Sequence, residues 1–180
     1  MRMRRVALSL LVAASLGAAA CTPAPTPGGP GAGPGPTPTT VSPPTTQPSA
    51  GWQAEMLASL NSQRSANGLG ALSLCGSLGR AAQAHSADQA ARRTMSHTGG
   101  DGSTLRTRVE RSGYLGWTGI AENVAAGYTS VPSVMNGWMN SAGHRANILN
   151  ASYTHVGVGL AADSGSSQYW TQNFGRSGSC

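Results

Sequence analysis

Ten of the eleven prolines of this 180-residue chain fall between Thr22 and Ala50, among seven threonines and five glycines, with no charged and no aromatic residue. A segment of that composition has too little apolar surface to offset the entropy of ordering, and it is expected to act as a disordered tether. In polyproline II, at about 3.1 Å per residue, it would reach about 90 Å. Whatever folds must come from the roughly 130 residues beyond it, enough for one modest domain over 51–180.

Ahead of the tether, Met1-Arg2-Met3-Arg4-Arg5 is cationic, Val6 to Leu16 is apolar and Gly17 to Ala20 is small. These are the three parts of a secretory signal peptide over residues 1–20, and its apolar run is well short of the roughly 20 residues that span a bilayer. Ala18-Ala19-Ala20 fits ordinary A-x-A cleavage, which would release a secreted protein. Followed by Cys21, the same residues resemble a bacterial lipobox, although Ala18 stands where that pattern usually has leucine. Three cysteines in an exported chain leave one unpaired, and acylation of Cys21, by palmitate or a similar chain, removes the odd thiol. The expectation is a lipoprotein on the extracellular face of the cell membrane. Cys75 and Cys180 would then pair, closing a loop of about 106 residues, a constraint of about 4–5 kcal/mol on the chain-entropy model.

Without the three arginines of the signal segment, nine arginines face six acids, a net charge of +3. They are scattered, and no basic stripe of the kind that neutralises phosphates is present, so nucleic acid is not an expected partner. All twelve basic residues are arginine. The absence of lysine excludes Schiff-base catalysis, Ser-Lys dyads and a P-loop lysine together.

Trp52, Met56 and Leu60 recur every fourth residue and predict a helix ending near Asn67-Gly68. Leu78, Ala81, Ala82 and His85 form the stripe of a second helix from Leu74 to about Arg93, which turns His85 inward. Thr98 to Gly102 is a turn-forming loop that begins at His97, and Ser103 is placed to cap a short helix through Arg111, stopped by Gly113. Val131, Val134, Met135, Trp138 and Met139 carry the clearest helical period, with Ser130 as N-cap and Pro132 in the first turn. Val156, Val158 and Leu160 alternate with His155, Gly157 and Gly159, and Tyr169 to Phe174 is a second β-prone run beyond the turn Asp163 to Ser167. The pair predicts a C-terminal hairpin that must pack on the helices.

Six blocks in order resemble the bacterial branch of the CAP superfamily, named for cysteine-rich secretory, antigen 5 and pathogenesis-related 1 proteins, whose shared unit is the SCP domain. They are Asn61-x-x-Arg64 with Gly68 and Leu72; Ser96-His97; Gly113-Tyr114; Ala121-Glu122-Asn123-Val124; Trp138-x-x-Ser141-x-Gly143-His144-Arg145-x-Asn147-Ile148-Leu149; and Val156-Gly157-Val158-Gly159 with Tyr169-Trp170-x-Gln172-Asn173-Phe174-Gly175. The resemblance implies an α+β fold, a three-layer α-β-α sandwich with a C-terminal β-hairpin. It also implies a cleft in which His97, Glu122 and His144 match three members of a two-His, two-Glu set. Ser141 stands where many members have the second Glu.

Two imidazoles and one carboxylate are the donor set of an open zinc site, so a divalent metal is permitted without being required. Glu122 reads equally well as a ligand or base and as the acceptor that holds the site together. Ser141, three residues before His144, is a cleft neighbour better read as a helix cap than as a nucleophile, since no G-x-S-x-G elbow accompanies it. The segment after His144 lacks aromatic residues, so sterol binding is not carried over. No catalytic residue is assigned. The leading expectation is a monomeric binding or interaction module whose cleft takes a small molecule, a lipid or a cell-wall component. The alternative is a metal-dependent hydrolase acting on an envelope or extracellular substrate.

Overall fold

The computed structural model describes residues 51–180, so the signal segment, Cys21 and the tether lie outside it. Five helices and four strands follow in the order α1 (Trp52–Ala66), β1 (Ser73–Leu74), α2 (Gly76–Arg92), α3 (Leu105–Arg111), β2 (Gly119–Ala126), α4 (Val131–Asn140), α5 (Ala142–Ile148), β3 (His155–Ala162) and β4 (Gln168–Arg176). The strands form one sheet ordered β1-β3-β4-β2, with β1 parallel to β3 and the other pairings antiparallel. The predicted hairpin is β3 and β4. Among the described residues no helix is long and apolar enough to cross a membrane.

Side chains alternate across a strand, so β4 must be covered on both faces to be buried almost throughout. Trp170 and Phe174 join Val156, Val158 and Leu160 of β3 on one face, against Trp52, Met56 and Leu60 of α1 and Val131, Val134, Met135 and Trp138 of α4. Each large apolar side chain buried there contributes roughly 1.5–3 kcal/mol relative to exposure. On the other face lies α2, where Gly157 and Gly159 present bare backbone to Leu78 and Ala82. Thr171 of β4 meets Ser86 Oγ at 2.9 Å and Gln89 Nε2 at 3.2 Å on that side. This is the expected three-layer α-β-α sandwich.

Polar side chains of α1 and α2 hold loop and strand backbone. Asn61 and Arg64, one turn apart on α1, both capture backbone: Asn61 Nδ2 donates to Leu72 O at 3.0 Å and its Oδ1 accepts from Leu72 N at 2.8 Å. Beyond the two-residue β1, the Gln83 amide replaces a neighbouring strand for β3, donating to Leu160 O at 2.9 Å and accepting from Leu160 N at 3.1 Å. Such covers keep an edge from pairing with another chain.

Several boundaries differ from the sequence reading. The second helix starts at Gly76, because Leu74 is taken into β1 and Cys75 becomes the N-cap. Thr104, not Ser103, caps α3, accepting from Thr107 N at 3.3 Å, while buried Ser103 gives its carbonyl to Arg108. Ser130 caps α4 through a capping box and Pro132 sits in its first turn, as expected. Cys75 and Cys180 are joined by a disulfide across 105 residues. Reduction, or Cys75→Ser with Cys180→Ser, is expected to cost about 2–5 kcal/mol. Urea unfolding with and without reductant measures it, and coincident curves would contradict it.

Candidate functional site

The site is built around Glu122, in the middle of β2 on the face that α2 covers. Its side chain is 3% exposed. A carboxylate is acceptor-only, and buried it must find donors. His97 Nδ1 donates to Oε1 at 2.9 Å and Arg108 Nη2 donates to Oε2 at 2.8 Å. Asn173, opposite Glu122 on β4, donates to Oε2 at 3.1 Å when its amide is turned to place nitrogen towards the carboxylate, the orientation that satisfies both ends of the amide. His85 Nε2 lies 3.9 Å from Oε1 and is hydrogen-bonded to Ser96 O at 2.8 Å. Burial, before the nearby charges, pushes the His85 pKa below its ordinary value and favours the neutral ring. The inward orientation read from the α2 stripe therefore holds.

His97 itself is mostly outside: its side chain is 60% exposed. Its loop is clamped on both sides. From α2, Gln89 Oε1 accepts from Ser96 N at 3.1 Å, and Asp88 accepts from Gly100 N at 3.1 Å. Arg92, bonded to Asp88, holds that carboxyl below its usual range. From α3, Arg108 Nη2 donates to His97 O at 3.1 Å and Nη1 to Ser103 O at 2.8 Å. Because Nδ1–H is spent on Glu122, the ring presents Nε2 outward in a fixed orientation.

His144 lies in the first turn of α5, half-buried, with its carbonyl accepting from Asn123 Nδ2 at 3.2 Å. Burial lowers its pKa first, and the charge of His97 lowers it further. Ser141 sits at the junction, C-cap of α4 and N-cap of α5, and its hydroxyl makes no capping bond to α5. The Trp138 and Trp170 rings are core, while Trp117 is half-buried beneath the Arg106 guanidinium, 4.8 Å from its ring centre.

The structure thus brings His97 and Glu122 into direct contact, with His144 beside them. Both Glu122 oxygens are engaged within the protein. Among the described residues no group of three or more His, Cys, Asp or Glu side chains is gathered as a metal-binding cluster. In this arrangement Glu122 stands behind His97 as its orienting acceptor. Arg108 and Asn173 were not foreseen as partners. Arg108 shares α3 with the exposed arginines Arg106 and Arg111, and nothing in the local sequence marks which of them turns inward.

The family model for the cysteine-rich secretory protein family, CAP, matches residues 57–174, and the chain belongs to that family. It is similar to the uncharacterised protein YkwD of Bacillus subtilis (strain 168), 33% identical over 132 residues, 72% of this chain and 50% of that one. It is also similar to the uncharacterised membrane protein YlbC of the same organism, 38% identical over 90 residues. That match covers 50% of this chain and 24% of YlbC, so the chain spans half the length or less of these curated relatives. Among solved structures, an extracellular SCP-domain protein of Bacillus anthracis superposes with a TM-score of 0.60 at 31% identity, over 68% of this chain and 39% of that one. An outer surface protein of Borrelia burgdorferi shares the fold, with a TM-score of 0.62 at 20% identity over 69% of this chain and 91% of that one.

Proposed function

We propose that the protein is an exported CAP-domain binding module, held at the cell surface by a lipid on Cys21 and the Thr22–Ala50 tether. Its cleft recognises a hydroxyl- or amide-bearing component of the envelope. The observation that carries this reading is the exposed His97 ring, whose inner nitrogen is locked by buried Glu122 and Arg108. An imidazole so held presents Nε2 outward, where it can hydrogen-bond the hydroxyl and amide groups of glycans and peptides. A pre-oriented side chain loses little freedom on binding, which is how a small polar cleft gains affinity. The cationic, apolar and small residues before Cys21 support export, as does similarity to an extracellular Bacillus anthracis protein. A metal-dependent hydrolase on the same three residues has less support, since both Glu122 oxygens already accept hydrogen bonds from the protein.

Titration of the disulfide-intact domain with purified muropeptides, followed by NMR, tests the proposal. Shifts are expected at His97 and His144, and they should be lost in His97→Ala. Glu122→Gln, which replaces the acceptor of the Nδ1–H bond, is expected to weaken binding about tenfold, the equivalent of about 1.4 kcal/mol. Absence of any muropeptide response at millimolar concentration would sink the envelope reading. Metabolic labelling of the full chain with a palmitate analogue, lost in Cys21→Ser, tests the anchor.

A further inference from the structure

Helix α5, which carries His144, is a seven-residue helix with one buried side chain, Ile148. A helix that short has no stability of its own and depends on the contacts that hold its ends. Its position is instead set by polar ties. At its C-terminal end Arg64 Nη1 donates to Ile148 O at 2.8 Å and Asn150 O at 2.9 Å. At the end that bears the imidazole, the tie is Asn123.

Asn123 is fully buried on β2, on the sheet face opposite Glu122. Its Nδ2 donates both to His144 O at 3.2 Å and to Gln172 Oε1 at 3.1 Å. Its Oδ1 accepts from Asn147 Nδ2 at 2.9 Å, and Asn147 also donates to Glu122 O at 3.3 Å. Gln172, its register partner on β4, is also fully buried and gives its remaining donors to the thioethers of Met56 and Met135, weak acceptors at 3.3 and 3.4 Å. An amide pair among methionines and tryptophans is a poor choice for stability, because apolar side chains of similar size would avoid its desolvation. What that pair secures is direction: it aims the Asn123 amide at the His144 carbonyl.

We propose that Asn123, oriented by Gln172, is the positioning residue of the second cleft imidazole, fixing the backbone of His144 relative to the Glu122–His97 pair. The proposal deepens the binding reading above, but its test does not depend on any ligand. The double variant Asn123→Leu with Gln172→Met replaces both amides by apolar side chains, so little of the core is left unsatisfied. Its unfolding midpoint is expected to stay near wild type. The NMR titration midpoint of His144 is expected to rise towards the ordinary histidine value of about 6.5, as its ring gains water and distance from His97. Ring signals of His155, which is bonded to Tyr114, report that the fold is intact. Asn123→Ala is the second variant and should move His144 the same way.

A folded variant whose His144 titrates as in wild type overturns the proposal. Failure of both variants to fold also overturns it, by assigning Asn123 to the core. A muropeptide titration that fails in wild type would defeat the binding reading while leaving the His144 result standing.

Discussion

Gly157→Ala is expected to lower stability by about 3 kcal/mol or more, against the few tenths to 1 kcal/mol that strand propensity would gain by the change. A Cβ at this position would overlap the backbone of Leu78 and Gly79 in α2, and one at Gly159 would overlap the backbone of Ala82. Backbone atoms of a packed helix cannot rotate out of the way, so α2 must lift from β3. The helix carries His85, Asp88 and Gln89, which hold the His97 loop, so the damage should extend to the cleft. In calorimetry this corresponds to a fall in Tm of about 10 °C or more. Gly157→Ala with Gly159→Ala should cost less than the sum, because both act through the same displacement of one helix. A single variant with wild-type Tm would show that α2 approaches the sheet less closely than described.

Arg64→Met is the second large effect, expected at about 3–5 kcal/mol. Arg64 is 1% exposed, and burial alone pushes its pKa below the usual arginine value. Among the described residues no carboxylate pairs with it. Its charge is instead met by carbonyls: Nε donates to Gly70 O at 2.7 Å, Nη1 to Ile148 O and Asn150 O, and Nη2 to Tyr153 O at 3.3 Å. Ile148 ends α5, so the guanidinium also sits at the negative end of that helix. Methionine fills the volume and removes every donor, leaving four carbonyls without this partner. Arg64→Lys keeps the charge, but a single ammonium cannot span the same set, and it should recover at most about half the loss. Urea midpoints of the three proteins decide this. Equal stability of Arg64→Met and wild type would mean that water replaces the guanidinium at no cost.

Legibility followed how locally each feature is specified. Helix α4 was visible because its apolar period, its capping serine and its first-turn proline lie within ten consecutive residues. The hairpin was visible because alternation in β3 and the turn at Asp163–Ser167 are adjacent in sequence. Strand β2 was not, since Gly119–Ala126 places Glu122 and Asn123 on opposite faces that are both buried. Polar residues on both faces of a covered strand erase the alternation that marks one. The division of α4 from α5 at Ser141 was missed for a similar reason: the motif from Trp138 to Leu149 runs through it without a break in pattern.

Legible along the chain were the family, the α+β layers and the pairing of Cys75 with Cys180. Order and spacing of short motifs carry that information along the chain. The partners of Glu122 were not legible there. Its role follows from Arg108, Asn173 and His97 converging on one buried carboxylate from α3, β4 and a loop, and convergence of residues up to 76 positions apart leaves no local trace. The same holds for Asn123 and Arg64, whose value lies in the distant carbonyls they reach, since a buried donor is defined by its partners and not by its neighbours in sequence.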